Sequence, residues 1–353
     1  MAVNHVRRYT LAENLAARPE TGLSASTEPA LATLSGRALH ANHGIPLNLD
    51  WIKDVRVNTS AVERRAQTLV TRRTVKKEWQ AAWLLRAISC MDLTTLSGDD
   101  THERVRRLCA KARQPIRRDL VTRLGIEELD LKVAAVCVYH NFVETAVRAL
   151  EGSGIRVAAV STGFPAGLSP LEERVAEIRR SVDAGAHEID VVITRAHVFE
   201  GKWQALYDEI ATFKSACGSA HMKVILGTGD LLTLRNVGRA SVVAMMAGAD
   251  FIKTSTGKEA VNATLPVGLV MTRAIREYAH ETGAAVGFKA AGGIRTAKQA
   301  TEWLSLMKEE LGPAWLEAKL FRFGASGMLA DIERQLEHHA TGRYSADFRH
   351  PIA

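Results

Sequence analysis

Two lysines close two apolar segments of this 353-residue chain: Asp250-Phe-Ile-Lys253-Thr-Ser-Thr-Gly-Lys258 and Val286-Gly-Phe-Lys289-Ala-Ala-Gly-Gly293. A lysine whose stem leaves an apolar strand is desolvated, and a second cation nearby repels its charge; both effects lower an amine pKa toward neutrality. A neutral amine adds to a carbonyl, giving a carbinolamine and then a Schiff base. The protonated imine withdraws electrons and makes adjacent C–C cleavage or condensation feasible. Each step moves a proton, a task for a positioned carboxylate such as Asp190 paired with a lysine. Residue type and spacing do not rank Lys253 against Lys289. Metal-dependent enolate chemistry would need histidine and carboxylate ligands at the same place, and the sequence sets none there, so no metal or organic cofactor is expected.

The elements that must position these groups follow a rhythm. Short apolar runs at 87–91, 133–138, 157–161, 188–193, 222–226, 250–254, 286–289 and 320–324 alternate with helix-period segments such as 172–184, 203–216, 236–247, 266–281 and 297–311. Strands without polar alternation are buried on both faces, as parallel strands under helices are. Eight such units predict an α/β fold, a (β/α)8 barrel over 87–346. An open doubly wound sheet is the alternative; it would need a Gly-rich turn after the first strand, where Asp92-Leu-Thr-Thr-Leu-Ser-Gly stands instead. One helix carries its own start signal, with Ser169 as expected N-cap, Pro170 at its first position and Glu172 completing a capping box. Its expected apolar stripe is Leu171, Val175, Ile178 and Val182, ending at Gly185. Residues 1–44 lack sustained periodicity and read as a poorly ordered extension. Residues 45–86, with Val62, Ala66, Leu69, Val70, Trp79, Ala82 and Trp83 at helical spacing, read as an N-terminal helical segment, and 347–353 as a tail.

In such a barrel the site lies where strand ends and following loops converge. That brings Asp92, Cys137, Asp190, Lys253, Lys289 and Gly324-Ala-Ser326 to one mouth. Any single strand-end charge could simply reach solvent, and Cys137 alone reads equally well as a small buried hydrophobe; the convergence carries the functional reading. An anion site is suggested by Thr256 and Lys258 after the sixth strand, Gly292 and Gly293 after the seventh, and Gly324 and Ser326 opening the last helix. A Gly-Gly pair by itself is compatible with a plain tight turn.

Composition narrows the class. The chain has 46 Lys+Arg against 39 Asp+Glu, a net charge of +7. Residues 1–86 hold 13 of the basic and 7 of the acidic residues, so the basic excess is N-terminal. Its densest stretch, Arg72-Arg-Thr-Val-Lys-Lys77, has no interleaved aromatics and reads as a solvated helix face, so no nucleic-acid partner is expected. No apolar run approaches the roughly 20 residues of a membrane helix, and the first 27 residues lack the apolar centre of a secretory signal. Arg7, Arg8 and Arg18 faintly resemble a transit peptide, against which Glu13 and Glu20 argue. Four scattered cysteines, Cys90, Cys109, Cys137 and Cys217, show no metal-ligand spacing and fit free thiols in the cytoplasm. Homo-oligomer formation is left open.

Taken together, the motifs resemble deoxyribose-phosphate aldolase, a Schiff-base (class I) aldolase family built on the (β/α)8 barrel. The matching stretches are Asp92-Leu-Thr-Thr-Leu96, Ala135-Val-Cys137-Val-Tyr139, Gly163-Phe-Pro-Ala-Gly167, Glu188-Ile-Asp190-Val-Val192, Asp250 to Lys258 with Val261-Asn-Ala-Thr264, Gly287-Phe-Lys289, Ala291-Gly-Gly293 and Phe323-Gly-Ala-Ser326. They run in family order over about residues 45–346, and 72–85 resembles the longer, animal-type members. The resemblance implies reversible cleavage of 2-deoxy-D-ribose 5-phosphate to D-glyceraldehyde 3-phosphate and acetaldehyde. It casts Lys253 as the Schiff-base lysine, Lys289 as the lysine that perturbs it, Asp190 as the proton relay, and Asp92, Thr94 and Cys137 as lining residues. Three positions depart from the family pattern: His140 replaces a proline, Ala290 interrupts Lys-Pro-Ala-Gly-Gly, and Gly327 removes a hydroxyl after Ser326. Tyr344 is the candidate for a tyrosine that some members use near the C-terminus. A Schiff-base aldolase for another phosphosugar and a catalytically silent phosphosugar-binding barrel are the competing readings.

Overall fold

A computed structural model describes residues 30–72 and 75–351. Parallel strands close into a barrel in the order β10-β11-β3-β4-β5-β6-β7-β8, with helices between them, which is the (β/α)8 architecture. In chain order, a hairpin of β1 (Ala32–Leu34) and β2 (Arg37–Ala41) precedes helices Leu49–Asp54, Thr59–Arg72 and Lys77–Ser89. The barrel strands then follow: β3 (Met91–Thr94), β4 (Ala135–Tyr139), β5 (Arg156–Ser161), β6 (Glu188–Val192), β7 (His221–Ile225) and β8 (Phe251–Lys253). The two-residue β9 (Ala284–Ala285) leads into β10 (Gly287–Ala291), and β11 (Phe321–Ala325) completes the ring. No described helix is long and apolar enough to cross a membrane.

Alternation within each strand sends one residue set into the barrel and the other under the helices. Ile189, Val191, Val224, Ile252, Phe288 and Phe323 belong to the continuous core between barrel and helices. There Phe288 stacks on Phe321 and on Trp303 of helix Ala297–Leu311, with centroids 6.2 and 5.8 Å apart. Burying side chains of this size contributes roughly 1.5–3 kcal/mol each.

Several local expectations are corrected. The part of 1–44 that is described, residues 30–44, is not an unordered extension. β2 pairs with β9, placing His40 opposite Ala284, and the amide of buried Asn42 donates to Met245 and Ala249 carbonyls. The expectations for the first 29 residues, and part of that for Arg72 to Lys77, fall outside the described residues. The first barrel strand starts at Met91; residues 87–89 end the preceding helix, because a uniformly apolar run does not itself distinguish the two states.

The helix expected from Ser169 begins at Leu171 with Pro170 in the cap position and no side-chain capping bond. Ser169 instead turns its hydroxyl toward Gly163, within 2.7 Å of where a β-carbon there would lie. The same helix buries Arg174 beside Ile178, while Leu171 is exposed. Arg174 donates to Glu209 (2.8 Å) and to Thr194 (3.1 Å). In the tail, Asp347–Arg349 form a 3-10 turn, and His350 is buried between Glu333 and Glu337, 3.1 Å from each.

Candidate active site

Register brings the two lysines side by side. Lys289 of β10 pairs with Lys253 of β8, which pairs in turn with Ile225 of β7. On the other flank Lys289 is level with Arg322 of β11, and Gly324, two residues along, is level with Asp92 of β3. The Thr254 hydroxyl latches the strand ends beside both lysines, donating to the Ala291 carbonyl (3.1 Å) and accepting from the Ala291 N–H (3.0 Å). Gly324 is needed where it is: a β-carbon there would come within 2.8 Å of Ala291 Cβ and 3.2 Å of Lys289 Cε.

Inside the barrel, three carboxylates meet four cations, all buried. Asp190 lies at the centre: its Oδ2 accepts from Lys253 and Lys289, both at 2.8 Å, and its Oδ1 from Lys223 at 3.0 Å. Asp92 accepts from Lys289 (2.5 Å) and Arg322 (2.6 Å). Glu188 takes Lys223 at 2.5 Å and both outer nitrogens of Arg322 at 2.8 and 3.2 Å. With every group ionised the seven buried groups carry one net positive charge, which is costly where charges are withdrawn from solvent, and loss of one proton balances it. Lys289 and Arg322 each face two carboxylates, and Lys223 faces three within 3.7 Å. Lys253 has Asp190, whose Oδ2 it shares. Lys253 is therefore the cation held least firmly.

The titration directions agree with this geometry. Burial, then repulsion from Lys289, holds Lys253 below the usual lysine value, against the pull of Asp190. Burial also disfavours the charge of Lys289, but Asp190 and Asp92 outweigh it and hold that lysine above its ordinary range. Lys223 is raised in the same way, burial being overcome by Asp190, Glu188 and Asp92. Asp190 is desolvated too, yet Lys223, Lys253 and Lys289 keep it well below the usual carboxylate range. For Glu188, burial is overridden by Arg322 and Lys223, which bring it from 4.5 down to about 2.

A cavity of about 640 Å³ opens above the cluster. It is lined by Thr94, Lys253, Thr256, Lys258, Gly292, Gly293, Gly324 and Ser326, among others. Lys253 is thus the buried lysine, among the described residues, that reaches this space. The remaining predicted residues lie beneath or beside it. Asp92, Asp190 and Lys289 are buried in the charge cluster behind Lys253, and Cys137 joins Ala158, Val160, Leu96, Tyr139 and Phe164 in an apolar patch, so Asp92 and Cys137 do not line the cavity as expected. Burial pushes the Cys137 thiol up, so it stays protonated. Ser326 precedes helix Gly327–Thr341 and makes no capping bond, leaving its hydroxyl available. Thr256 differs from the expectation: its hydroxyl donates to Glu259 (2.7 Å) and accepts from the Lys258 N–H (3.0 Å), so its hydrogen is spent within its own loop.

Of the departures, His140 places Nδ1 3.3 Å from a Glu177 carboxylate oxygen, and Ala290 is a buried ladder residue level with Phe323. Tyr344 is solvent-exposed and stacks on His338 near the end of the last helix, with centroids 4.5 Å apart. Helix Gly327–Thr341 starts at the mouth, so its far end holds Tyr344 at the opposite end of the barrel.

Sequence reasoning missed Glu188, Lys223, Arg322 and Glu259. The signal for the first three was present. Each is a charged residue within a barrel strand, and two of them lie two positions from a residue already assigned to the interior or the mouth: Glu188 from Asp190, Arg322 from Gly324. Period-two alternation requires the pair to face the same way.

A parallel barrel with a desolvated, undercompensated amine at its mouth defines an enzyme of the aldolase class that works through an amine. The chain belongs to the DeoC/LacD family of aldolases, whose family profile it matches over residues 86–329. It is 60% identical over 305 residues to deoxyribose-phosphate aldolase of Mus musculus, covering 86% of this chain and 96% of that one. The Homo sapiens deoxyribose-phosphate aldolase is 59% identical with the same coverage of each. The solved structure of deoxyribose phosphate aldolase from Aeropyrum pernix superimposes with a TM-score of 0.54 at 24% identity, over 79% of this chain and 99% of that one. That likeness concerns the fold.

Proposed function

We propose that this chain is a deoxyribose-phosphate aldolase, cleaving 2-deoxy-D-ribose 5-phosphate reversibly to D-glyceraldehyde 3-phosphate and acetaldehyde. The observation that carries the residue assignment is the shared Asp190 Oδ2, 2.8 Å from both Lys253 and Lys289, with Lys253 the one at the cavity. High identity to the two mammalian aldolases supports the substrate.

In this reading neutral Lys253 adds to the C1 aldehyde of the open-chain sugar, and loss of water leaves a protonated imine. Removal of the C3 hydroxyl proton lets the C2–C3 bond break, its electrons passing into the imine to form an enamine and release D-glyceraldehyde 3-phosphate. Protonation at C2 and hydrolysis return acetaldehyde and the free amine. Asp190, ionised and touching both lysines, relays the protons. Lys289 stays charged and keeps Lys253 deprotonated. Thr94 lines the space, with Asp92 buried beneath it and Cys137 in the apolar patch beside it. Lys258, Ser326 and the backbone at Gly292, Gly293 and Gly324 receive the phosphate, with Thr256 shaping the loop rather than donating to the anion. The free cysteines support a reducing compartment, the cytoplasm, and cleavage of 2-deoxyribose 5-phosphate would fit a place in deoxynucleoside breakdown.

Borohydride reduction with acetaldehyde or deoxyribose phosphate tests the assignment, with peptide mass mapping of the product. The reading requires the adduct on Lys253 and its loss in Lys253→Leu. An adduct on Lys289, or unchanged acetaldehyde release by the Lys253 variant, would overturn it.

A further inference from the structure

We infer that Glu259 is a positioning residue for phosphate binding: its carboxylate sets the shape of the 256–258 turn that carries Lys258 to the cavity. The inference rests on the phosphosugar reading above and deepens it. The Glu259 carboxylate accepts from the Thr256 N–H (3.0 Å to each oxygen), the Thr256 hydroxyl (2.7 Å) and the Gly257 N–H (3.1 Å). Its own carbonyl accepts from the Asn262 side-chain amide at 2.8 Å. The Thr256 hydroxyl, oriented by this bond, accepts the N–H of Lys258 at 3.0 Å. The acidic side chain therefore organises the Thr256–Lys258 turn, while the Glu259 main-chain carbonyl tethers Asn262.

The loop in turn meets the second anion-binding segment. Gly292 has φ +82°, and a β-carbon there would lie 2.5 Å from Asn262 Oδ1. The Gly292-Gly293 turn can thus seat against the loop because it lacks side chains, and Asn262 is held at that contact by the Glu259 main-chain carbonyl, which side-chain variants at 259 retain. Charge-assisted bonds of this kind are roughly twice as strong as neutral ones and order a loop before the ligand arrives, so that binding does not pay for the ordering. The carboxylate also occupies two N–H groups that would otherwise be open to an anion. The same geometry therefore allows an opposite role, a carboxylate that competes with phosphate, and experiment separates the two.

Glu259→Ala and Glu259→Gln are compared with the wild-type chain on 2-deoxyribose 5-phosphate and on unphosphorylated 2-deoxyribose. Positioning predicts that E259A raises KM for the phosphorylated sugar about tenfold and moves kcat by less than about threefold. The kcat/KM for 2-deoxyribose stays unchanged, and E259Q recovers much of the loss, since its amide oxygen still accepts from the Thr256 and Gly257 N–H groups. A lower KM for the phosphorylated sugar in either variant, or equal losses on both sugars, would overturn the assignment. Titration calorimetry with inorganic phosphate tests the loop whatever sugar the enzyme takes. Affinity about tenfold weaker in E259A supports positioning, and unchanged or tighter binding refutes it. Failure of the wild type to cleave deoxyribose phosphate would count against the substrate assignment, while the phosphate titration still decides the role of Glu259.

Discussion

Lys253 and Lys289, level with each other on adjacent strands, share a single carboxylate oxygen of Asp190. Lys289 holds a second carboxylate, Asp92, and Lys253 does not. This asymmetry holds Lys289 above the ordinary lysine range and Lys253 below it, and it leads to the first prediction. Replacing Lys289 by Met removes the neighbouring charge and leaves the Asp190 oxygen to Lys253 alone. Both changes favour protonated Lys253. Because activity needs the neutral amine, it rises as pH passes upward through the Lys253 pKa. The acidic limb of kcat/KM should therefore move to higher pH by about one unit or more, with activity at pH 7 falling about tenfold or further. A pH profile of K289M against wild type checks this; an unmoved limb would contradict it.

Asp190→Asn keeps the shape of the side chain and removes both its charge and its capacity to carry a proton. We expect kcat to fall roughly 10²- to 10⁴-fold, the usual contribution of a positioned acid or base. Stopped-flow release of acetaldehyde, with borohydride trapping as a second readout, distinguishes slow proton transfer from failure to form the imine.

Arg322 faces Asp92 and Glu188 without lining the cavity. Arg322→Leu leaves two buried carboxylates short of a cation, a change that costs about 3–5 kcal/mol where such pairs are broken. Urea denaturation should show this as a lower midpoint.

Acid stability follows from the same cluster. Glu188 is taken from 4.5 down to about 2, and Asp92 and Asp190 are also lowered, so each binds its proton less readily in the folded chain than in the unfolded one. The stabilisation they contribute is complete above the unfolded carboxylate range and is lost as pH falls from about 4.5 toward 2. Urea midpoints measured from pH 7 to pH 3 should drop most steeply below pH 4.5, and Glu188→Gln should flatten that dependence.

Cys137 sits in an apolar patch with a thiol kept protonated. Cys137→Ala should change kcat/KM by less than about threefold. A loss of a hundredfold would give the thiol a chemical role that its surroundings do not support.

Much of this protein was legible in the chain itself. Local apolar runs and helix periodicity announce the alternation of strand and helix, and strand-end position brings Asp92, Cys137, Asp190, Lys253 and Lys289 to one mouth, because a parallel barrel has one end where all its strands finish. Errors arose where a local signal lost to a contact distant in sequence. The Ser169 hydroxyl turned to Gly163 instead of capping its helix, and residues 32–41 became strands because β9 offered an edge to pair with. Arg174 broke its helix's apolar stripe because Glu209 was there to receive it.

Residue type and spacing left the two lysines unranked; the family resemblance singled out Lys253, and the tertiary structure supplies the physical difference between them. Their sequence surroundings are alike, an apolar strand and then a glycine-bearing loop. Their difference is a count of carboxylates: Asp92 reaches Lys289 across 197 positions of the chain and does not reach Lys253. Lys223, Glu188 and Arg322 complete a buried charge balance that no stretch of sequence contains, since electrostatic energy depends on distance in space and on the water excluded from between the charges. Residue types thus determined which chemistry the chain could perform, and the closing of the barrel set Lys253 apart as the least firmly held cation, at the cavity.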